Sequence, residues 1–233
     1  MNPSATTAVA IMAKAPDAGA VKTRLCPPLT ARGAAALARC FLRDRIAQVR
    51  GLRGASPLIA YTPAPGRTLF ERLAPDFALM LQQGDDLGTR MRSTLAALLA
   101  AGHRAAIAIG TDAPTLPTNV LQHAVDVMAT ADVDLVLGPA EDGGYYLIGV
   151  SVDHPTLFDD VPWSTSAVLE LTLSRARAAG LRTICVSPWW DVDTPDDVRR
   201  LRAALTERPH LAPATSRFFA RQAARRRRRE TSR

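Results

Sequence analysis

Several residue types and sequence patterns are scarce or missing in this chain, and each absence excludes a class of protein. Aromatic residues make up 5% of the 233 residues, which leaves few side chains that could stack on nucleic acid bases. No stretch approaches the roughly 20 consecutive apolar residues that a membrane helix needs. Residues 1–7 have neither the basic start nor the apolar centre of a secretion signal. We therefore expect a cytoplasmic protein with no membrane span.

Cysteine and the common catalytic motifs are also sparse. The three cysteines, Cys26, Cys40 and Cys185, are an odd number without CxxC spacing, so neither a disulfide framework nor a zinc site is indicated. The histidines share no metal-ligand spacing, and no serine–histidine–aspartate arrangement can be supported. A Walker A loop and a GxGxxG fingerprint are both missing from the sequence. These absences exclude the usual ATPase and dehydrogenase classes.

The net charge of +7 lies at one end of the chain. Residues 217–233 contain eight arginines and one glutamate, so residues 1–216 are neutral. A run of five arginines cannot bury itself, and the sequence predicts one domain over residues 1–216 followed by a solvated, disordered tail over residues 217–233. Because the body is neutral, nucleic acid is not the expected partner. A non-catalytic RNA-binding protein, with steep salt dependence of binding, remains the third alternative.

The body of the chain alternates short apolar or β-branched runs with longer segments of helical periodicity. This alternation is typical of a parallel sheet covered by helices. The uncharged run over residues 105–110 suits a central strand that is covered on both faces. The sequence thus predicts a three-layer α/β/α fold with a mostly parallel sheet, whose ligands lie beyond the carboxyl ends of the strands. Strands are predicted over residues 8–12, 57–61, 78–82, 105–110, 134–137, 145–150 and 183–186, and helices over residues 31–48, 68–73, 87–101, 117–131, 166–179 and 195–205.

The loop after the first predicted strand contains both lysines of the chain, Lys14 and Lys22, in a sequence with 27 arginines. A lysine kept in so arginine-rich a chain favours a role for a compact point charge, such as contact with a phosphate. Gly19 allows close approach of the backbone to a ligand, and Arg24, which follows Thr23, adds a planar donor pair. We interpret this loop as a phosphate-binding loop, with an ordinary solvated basic loop as the alternative.

Three aspartates follow or precede predicted elements at the same edge of the sheet. Asp112 comes directly after the uncharged strand, where a carboxylate needs water, a cation or a donor. Asp191 and Asp193 alternate about Val192, so in an extended segment both point to one face. Together they could hold Mg²⁺, which binds one or two carboxylates with substrate phosphates and waters. Capping of the next helix is the alternative role for Asp112.

Two further segments could line a pocket for an acceptor molecule. The first places two acids before a glycine turn and a tyrosine that could stack or hydrogen-bond; turn formation is its alternative role. The second is as consistent with a helix cap and a packed tryptophan as with a pocket rim. The candidate acceptor residues are Glu141, Asp142, Gly143, Gly144, Tyr145, Trp163, Ser164 and Thr165.

Taken together and in order, these segments resemble a bacterial family of nucleotide-diphospho-sugar transferases with the GT-A fold. Some members of that family are assigned to arsenosugar biosynthesis as glycosyltransferases. The resemblance spans nearly all of residues 1–216. The segments that carry it lie at residues 13–25, 84–91, 110–114, 138–146, 163–165 and 191–195.

The resemblance implies a role for each matched position. Lys14, Lys22 and Arg24 would hold nucleotide phosphates, and Asp112 would be the metal-binding acid after the central strand. Asp191 and Asp193 would match the second acidic position of related nucleotidyltransferases. The turn formed by Leu87, Gly88 and Thr89 would contact the base, as in sugar-nucleotide pyrophosphorylases. The first loop contains one glycine, whereas the corresponding loop of those pyrophosphorylases is glycine-rich.

The sequence thus favours a transferase dependent on Mg²⁺ or Mn²⁺ that uses a nucleoside diphosphate-sugar and a small-molecule acceptor. Lys22 and Asp112 are its predicted catalytic residues. The alternative is a nucleotidyltransferase that moves a nucleotidyl group from a nucleoside triphosphate to a phosphorylated acceptor and releases pyrophosphate. The expected partners are a nucleotide or nucleotide-sugar and the acceptor, and a homodimer is left open.

Overall fold

The computed structural model describes residues 6–130 and 132–230, and the side chains of residues 225–227, 229 and 230 are not described. Ala131 and residues 231–233, which fall at the end of a predicted helix and in the predicted tail, lie outside the described residues, as do residues 1–5. The strands are β1 (Thr7–Lys14), β2 (Ala55–Thr62), β3 (Ala78–Leu81), β4 (Ala105–Ile109), β5 (Leu135–Pro139), β6 (Tyr145–Val150) and β7 (Thr183–Cys185). The α-helices are α1 (Ala31–Arg50), α2 (Arg67–Leu73), α3 (Leu87–Ala100), α4 (Thr118–Met128), α5 (Val168–Ala178), α6 (Pro195–Glu207) and α7 (Pro213–Glu230).

The strands form one sheet with the order β3-β2-β1-β4-β6-β5-β7. All neighbouring pairs are parallel except those of β6, which runs antiparallel to both β4 and β5. The predicted central position of the uncharged strand is confirmed, since β4 is the fourth of seven strands. The parallel strands end at one edge, and the loops that follow them meet there.

Helices cover both faces of the sheet, which confirms the predicted three-layer fold. The apolar sides of α1, α2 and α4 pack on one face, around Phe70 and Leu121. Those of α3 and α5 pack on the other face, around Leu95 and Ala176. Burial of these apolar stripes is the main stabilisation of such a layered fold.

A third apolar cluster lies beside the sheet and joins α1, α6 and α7 to two loops. It contains Phe41 of α1 and Leu201 of α6, with Leu25 from the first loop and Val192 from the loop before α6. The start of α6 shows the predicted cap: Thr194 accepts from the Asp197 backbone N–H, and the Asp197 side chain accepts in return. This cluster therefore fixes the two loops that carry most of the predicted site.

The C-terminal segment differs from the prediction of a solvated tail that begins at Arg217. Helix α7 crosses that point and continues to Glu230. Phe219 is buried in the third cluster, and Asp44 of α1 accepts hydrogen bonds from the backbone N–H groups of Ala214 and Thr215 at the start of the helix. The two phenylalanines at 218 and 219 give this segment an apolar side that the arginine count concealed. Among the described residues, none of the helices is both long and apolar enough to cross a membrane.

Candidate active site

A cavity of about 540 Å³ opens at the carboxyl ends of β1 and β4. This volume lies within the range of pockets that take small-molecule ligands, roughly 300–1,000 Å³. Its walls come from segments far apart in the chain, since the loop after β1, the loop after β4 and the segment before α6 all contribute. The predicted site residues that line it are Lys14, Lys22, Thr23, Arg24, Leu87, Asp112, Tyr145, Ser164, Asp191 and Asp193.

Lys22 is the central cation of the cavity. Its Nζ lies 2.8 Å from Asp112 Oδ1 and 2.9 Å from Asp193 Oδ1, and it donates to the Val192 carbonyl oxygen at 2.8 Å. An ammonium group has three N–H donors, so all of them have a protein partner. The Lys22 side chain is 8% exposed, against 45% for Asp112 and 41% for Asp193. Lys22 therefore joins the two acids, and its contact with a phosphate stays a prediction.

Electrostatics keep Lys22 charged despite its burial. Burial alone would lower the pKa of Lys22, but the carboxylates of Asp112 and Asp193 outweigh it, and the pKa is raised. The sequence predicts a lysine and two acids at one edge of the sheet but does not predict their pairing. Their pairing depends on a left-handed backbone at Lys22, with φ of 49°, which residue type alone does not predict.

The segment around Val192 positions the acids as predicted. Val192 is fully buried in the third cluster, and its N–H donates to the Asp112 carbonyl oxygen at 2.8 Å. Asp191 and Asp193 line the cavity on either side of it. Burial, followed by the charges of Asp112 and Asp193, raises the pKa of Asp191 to about 7. Three carboxylates thus converge on one cavity.

Arg45 lies beneath this acidic group, at a position that was not predicted from the sequence. The side chain is buried in α1 and donates to the carbonyl oxygens of Gly110 at 3.1 Å and Ala113 at 2.8 Å, on either side of Asp112. Its third partner is the Gln48 amide oxygen. Burial lowers the pKa of Arg45 to about 10. Its position four residues after Phe41, on the apolar stripe of the helix, could have revealed a buried arginine.

Two other cations of the first loop remain available to a ligand. Lys14 ends β1 and Arg24 lies in the short 3₁₀ turn Thr23–Leu25, and both are exposed residues that line the cavity. Neither side chain has an ion pair within the described part of the chain. Gly19 adopts a positive φ of 84° in the same loop but does not line the cavity. The predicted phosphate-binding loop thus presents two unpaired cations.

Of the predicted base-contacting turn, only Leu87 lines the cavity, and its side chain is 49% exposed. Gly88 lies behind it, where a Cβ would overlap the Trp163 ring. Thr89 donates through its backbone N–H to Asp86 Oδ1 at 2.8 Å and so belongs to the cap of α3. The glycine is therefore required for packing, whereas Leu87 provides an apolar surface at the mouth of the cavity.

Of the predicted acceptor pocket, the structure brings only Tyr145 and Ser164 to the cavity. Glu141 forms a two-point ion pair with Arg200 at 2.6 and 2.9 Å, and these hydrogen bonds lower the pKa of Glu141. Asp142 closes a turn by accepting from the Gly144 N–H at 2.9 Å. Asp142 thus takes part in a turn, which was the alternative interpretation, whereas Glu141 forms an ion pair outside the cavity.

The rest of the predicted acceptor segments also packs outside the cavity. Trp163 makes an edge contact with Tyr145, with ring centroids 6.3 Å apart. The Thr165 hydroxyl donates to the Pro162 carbonyl oxygen at 2.8 Å. A Cβ at Gly143 would come within 2.3 Å of the Ser166 carbonyl oxygen, so this glycine lets two loops touch. Trp163 thus supports the wall at Tyr145 from behind.

The acids of the cavity are not arranged as a complete metal site. Within residues 6–130 and 132–230, no group of three or more His, Cys, Asp or Glu side chains is arranged to hold a metal ion. Lys22 lies between Asp112 and Asp193 instead. Two carboxylates are nevertheless suitable protein ligands for Mg²⁺ or Mn²⁺, because Mg²⁺ takes its remaining ligands from substrate phosphates and water.

Comparison with known proteins supports the resemblance found in the sequence. Residues 45–165 match the profile of the family described as "Uncharacterized protein conserved in bacteria (DUF2064)". No curated protein matches the chain. The structure is similar to that of a candidate nucleotide-diphospho-sugar transferase from Desulfovibrio desulfuricans G20, at 31% identity and a TM-score of 0.87, over 94% of this chain and 95% of that chain.

More distant solved structures share the fold. One is a CMP:2-keto-3-deoxy-manno-octonic acid synthetase in complex with CTP, at 13% identity and a TM-score of 0.56, over 87% of this chain and 99% of that chain. Another is a cytidylyltransferase from Leptospira borgpetersenii serovar Hardjo-bovis, at 11% identity and a TM-score of 0.56, over 87% of both chains. At these identities the likeness concerns the fold, and the predicted nucleotide-diphospho-sugar transferase fold is confirmed.

Proposed function

The chain belongs to the bacterial DUF2064 family, and from this premise we propose that it is a transferase that binds a nucleoside diphosphate-sugar and moves the sugar to a small acceptor. The observation that carries the proposal is the lining of one cavity by two unpaired cations, Lys14 and Arg24, next to the cluster of Lys22, Asp112 and Asp193. This combination suits a diphosphate, because its negative charges need both fixed cations and a divalent ion to balance them. The 31% identical protein from Desulfovibrio desulfuricans G20 is described as a candidate nucleotide-diphospho-sugar transferase, which is consistent with this proposal.

Lys14 and Arg24 bind the diphosphate in this proposal. Both side chains are exposed at the cavity, so binding costs them no existing ion pair. Arg24 offers a planar pair of N–H donors and Lys14 a mobile point charge, and these two geometries complement the several oxygens of a diphosphate. Held in place, the same cations stabilise the charge that develops on the diphosphate as it leaves the sugar.

Asp112 and Asp193 are the residues that would hold a divalent ion, with Asp191 beside them. When bound, Mg²⁺ or Mn²⁺ would neutralise the negative charge of the leaving diphosphate. Arg45 holds the loop that carries Asp112 through the carbonyl oxygens of Gly110 and Ala113. A preorganised carboxylate loses less freedom on binding than a mobile one. Leu87 and Tyr145 give the cavity its apolar walls, on which the base or the sugar can lie.

Nucleotidyl transfer from a nucleoside triphosphate is the second candidate, and the position of Glu141 favours it. A glycosyltransferase that inverts the sugar needs a base near the acceptor, and Glu141 is held by Arg200 outside the cavity. A phosphorylated acceptor needs cations more than a carboxylate base. Asp112, Lys14 and Arg24 would then act on the phosphates of the triphosphate.

Ligand-induced stabilisation tests the nucleotide site. We expect a nucleoside diphosphate-sugar or a nucleoside triphosphate to raise the melting temperature of the protein in the presence of Mg²⁺, because a ligand of the folded state alone stabilises it. Arg24→Gln should reduce this rise strongly. The matched control is Arg32→Gln, which removes an exposed arginine of α1 outside the cavity and should leave the rise unchanged. Equal stabilisation of both variants would contradict the proposed site.

Product analysis separates the two candidates. Phosphorus NMR of a reaction with a nucleotide-sugar should show release of a nucleoside diphosphate, and turnover should fall in Asp112→Asn. Pyrophosphate release from a triphosphate, with no reaction of nucleotide-sugars, would select nucleotidyl transfer. If Asp112→Asn left both metal affinity and turnover unchanged, both mechanisms would fail.

A further inference from the structure

Lys22 occupies the position that a divalent cation would need. Its ammonium group contacts one oxygen of Asp112 and one of Asp193, at 2.8 and 2.9 Å. A metal ion bound by these two carboxylates would lie beside the ammonium group, and two cations that close repel each other strongly in a partly dry site. Contact of the acids with the ammonium group and binding of a metal ion are therefore linked: the acids hold either the ammonium group or the metal in full contact.

The protein backbone makes the ammonium group a strong competitor. Besides the two acids, Lys22 has the Val192 carbonyl oxygen as a third partner at 2.8 Å. Val192 is fully buried, and its N–H is bonded to the Asp112 carbonyl oxygen, so this acceptor is fixed. The Lys22 side chain is itself only 8% exposed. A free metal ion would have to displace a group that is held at three points.

A phosphate group changes this balance. Lys14 and Arg24 line the same cavity as Lys22 and have no ion pair among the described residues. A diphosphate or triphosphate held by these two side chains brings new anionic oxygens beside Lys22. The ammonium group can exchange a carboxylate oxygen for a phosphate oxygen, while the carboxylate and the phosphate together can bind the metal.

From this geometry we propose that Lys22 is an internal cation that closes the Asp112–Asp193 pair to free divalent ions, so that the site takes a metal ion only together with a phosphate-bearing ligand. The inference rests on the proposed function, since it assumes that the ligand carries a phosphate chain. It makes Lys22 a specificity-determining residue: it selects the metal–nucleotide complex over the metal alone. In the free protein the same ion pairs keep the two loops joined.

Mn²⁺ binding to the full chain without nucleotide tests this inference. The free Mn²⁺ signal in electron paramagnetic resonance measures the bound fraction directly. We expect weak binding to the wild-type protein and binding about tenfold tighter to Lys22→Met, a change equivalent to about 1.4 kcal/mol. Lys22→Gln, which keeps a polar side chain, should show the same direction if the methionine variant folds poorly. Lys14→Met removes an equal charge from the same cavity and should bind Mn²⁺ as weakly as the wild type.

The double variant Lys22→Met/Asp112→Asn locates the effect. Removal of one acid should abolish the gain in Mn²⁺ affinity if the gain arises at the Asp112–Asp193 pair. Equal Mn²⁺ affinity in the wild type and in both Lys22 variants would overturn the inference, and so would a gain that survives the loss of Asp112 or that Lys14→Met reproduces. Because these measurements contain no nucleotide, a failure here is distinct from the absence of a nucleotide-induced rise in melting temperature, which would contradict the proposed function.

Discussion

Charge balance at the level of single residues explains why the cavity can hold three acids without ligand. Asp112, Asp191 and Asp193 face Lys22 inside the cavity and Arg45 beneath it. The two cations differ in what they do: Lys22 pairs directly with carboxylates, whereas Arg45 binds the carbonyl oxygens that flank Asp112. Buried charges survive in proteins when such partners satisfy them.

Arg45 is predicted to support both the fold and the position of Asp112. Arg45→Met keeps most of the side-chain volume but removes the guanidinium that donates to the carbonyl oxygens of Gly110 and Ala113, and we expect a loss of about 3 kcal/mol in the free energy of unfolding. The control is Arg43→Met, an exposed arginine of the same helix, which should change stability by less than about 0.5 kcal/mol. Urea denaturation of the two variants measures both values. Equal stability of the two variants would show that the buried contacts contribute nothing.

Residue types predicted the members of the site better than their contacts. The rarity of lysine pointed to Lys14 and Lys22, and the alternation about Val192 pointed to Asp191 and Asp193; all four line the cavity. The pairing of Lys22 with the acids could not be predicted. It requires contacts with residues up to about 170 positions away in the sequence and a left-handed backbone conformation at Lys22. The ion pair of Glu141 was not predicted because its partner Arg200 lies on α6, 59 positions further along the chain.

At the scale of elements, the C-terminal helices act as a support for the site. Leu25 of the first loop and Val192 of the acidic segment both pack in the cluster formed with α6 and α7. Among the side chains that the structure describes, these helices contribute none to the lining of the cavity. Their role is to hold two loops that would otherwise have little apolar contact with the sheet.

The packing of α7 can be tested at Phe219. Phe219→Ala should destabilise the protein by about 3 kcal/mol, because it removes a buried ring and leaves a cavity. Arg221→Ala, which truncates an exposed side chain two positions further along the same helix, should change stability by less than about 0.5 kcal/mol. Thermal or urea unfolding gives both values. If Phe219→Ala were as stable as Arg221→Ala, residues from 217 onward would behave as the solvated tail that the sequence suggested.

An ion pair between Asp134 and Arg182, at the edge of the sheet near β5 and β7, makes the stability of the fold depend on pH. Hydrogen bonds from the Arg182 guanidinium and backbone N–H lower the pKa of Asp134 to about 2. Since this pKa lies below that of an unfolded aspartate, near 3.9, the ion pair stabilises the fold above that pH and its contribution disappears as the pH falls towards 2. The stability difference between wild type and Asp134→Asn, measured by urea unfolding, should therefore shrink as the pH is lowered from about 5 to about 2. A difference that stayed constant over this range would contradict the assignment.

Most elements were predictable because hydrophobic periodicity is a local property. Every predicted strand and helix is present in the described residues, with bounds that differ by a few positions. Two features were not predicted. The antiparallel direction of β6 depends on its partners β4 and β5, and α7 depends on apolar contacts made by two phenylalanines in a segment dominated by arginine.

At the scale of the whole molecule, the sheet order brings together three segments that are remote in sequence. The loop after β1, the loop after β4 and the segment before α6 meet because β1 and β4 are neighbours in the sheet and the Val192 N–H binds the Asp112 carbonyl oxygen. One cavity thus gains cations from the first segment and carboxylates from the other two. The binding of a diphosphate at this junction is the central claim.

A crystal structure of the protein with Mg²⁺ and the nucleotide that stabilises it most tests this claim directly. The account predicts that the phosphate groups lie in the cavity, in contact with Lys14 and Arg24 and on the side that faces Asp112. A nucleotide bound elsewhere on the molecule, or with its phosphates turned away from these side chains, would contradict it.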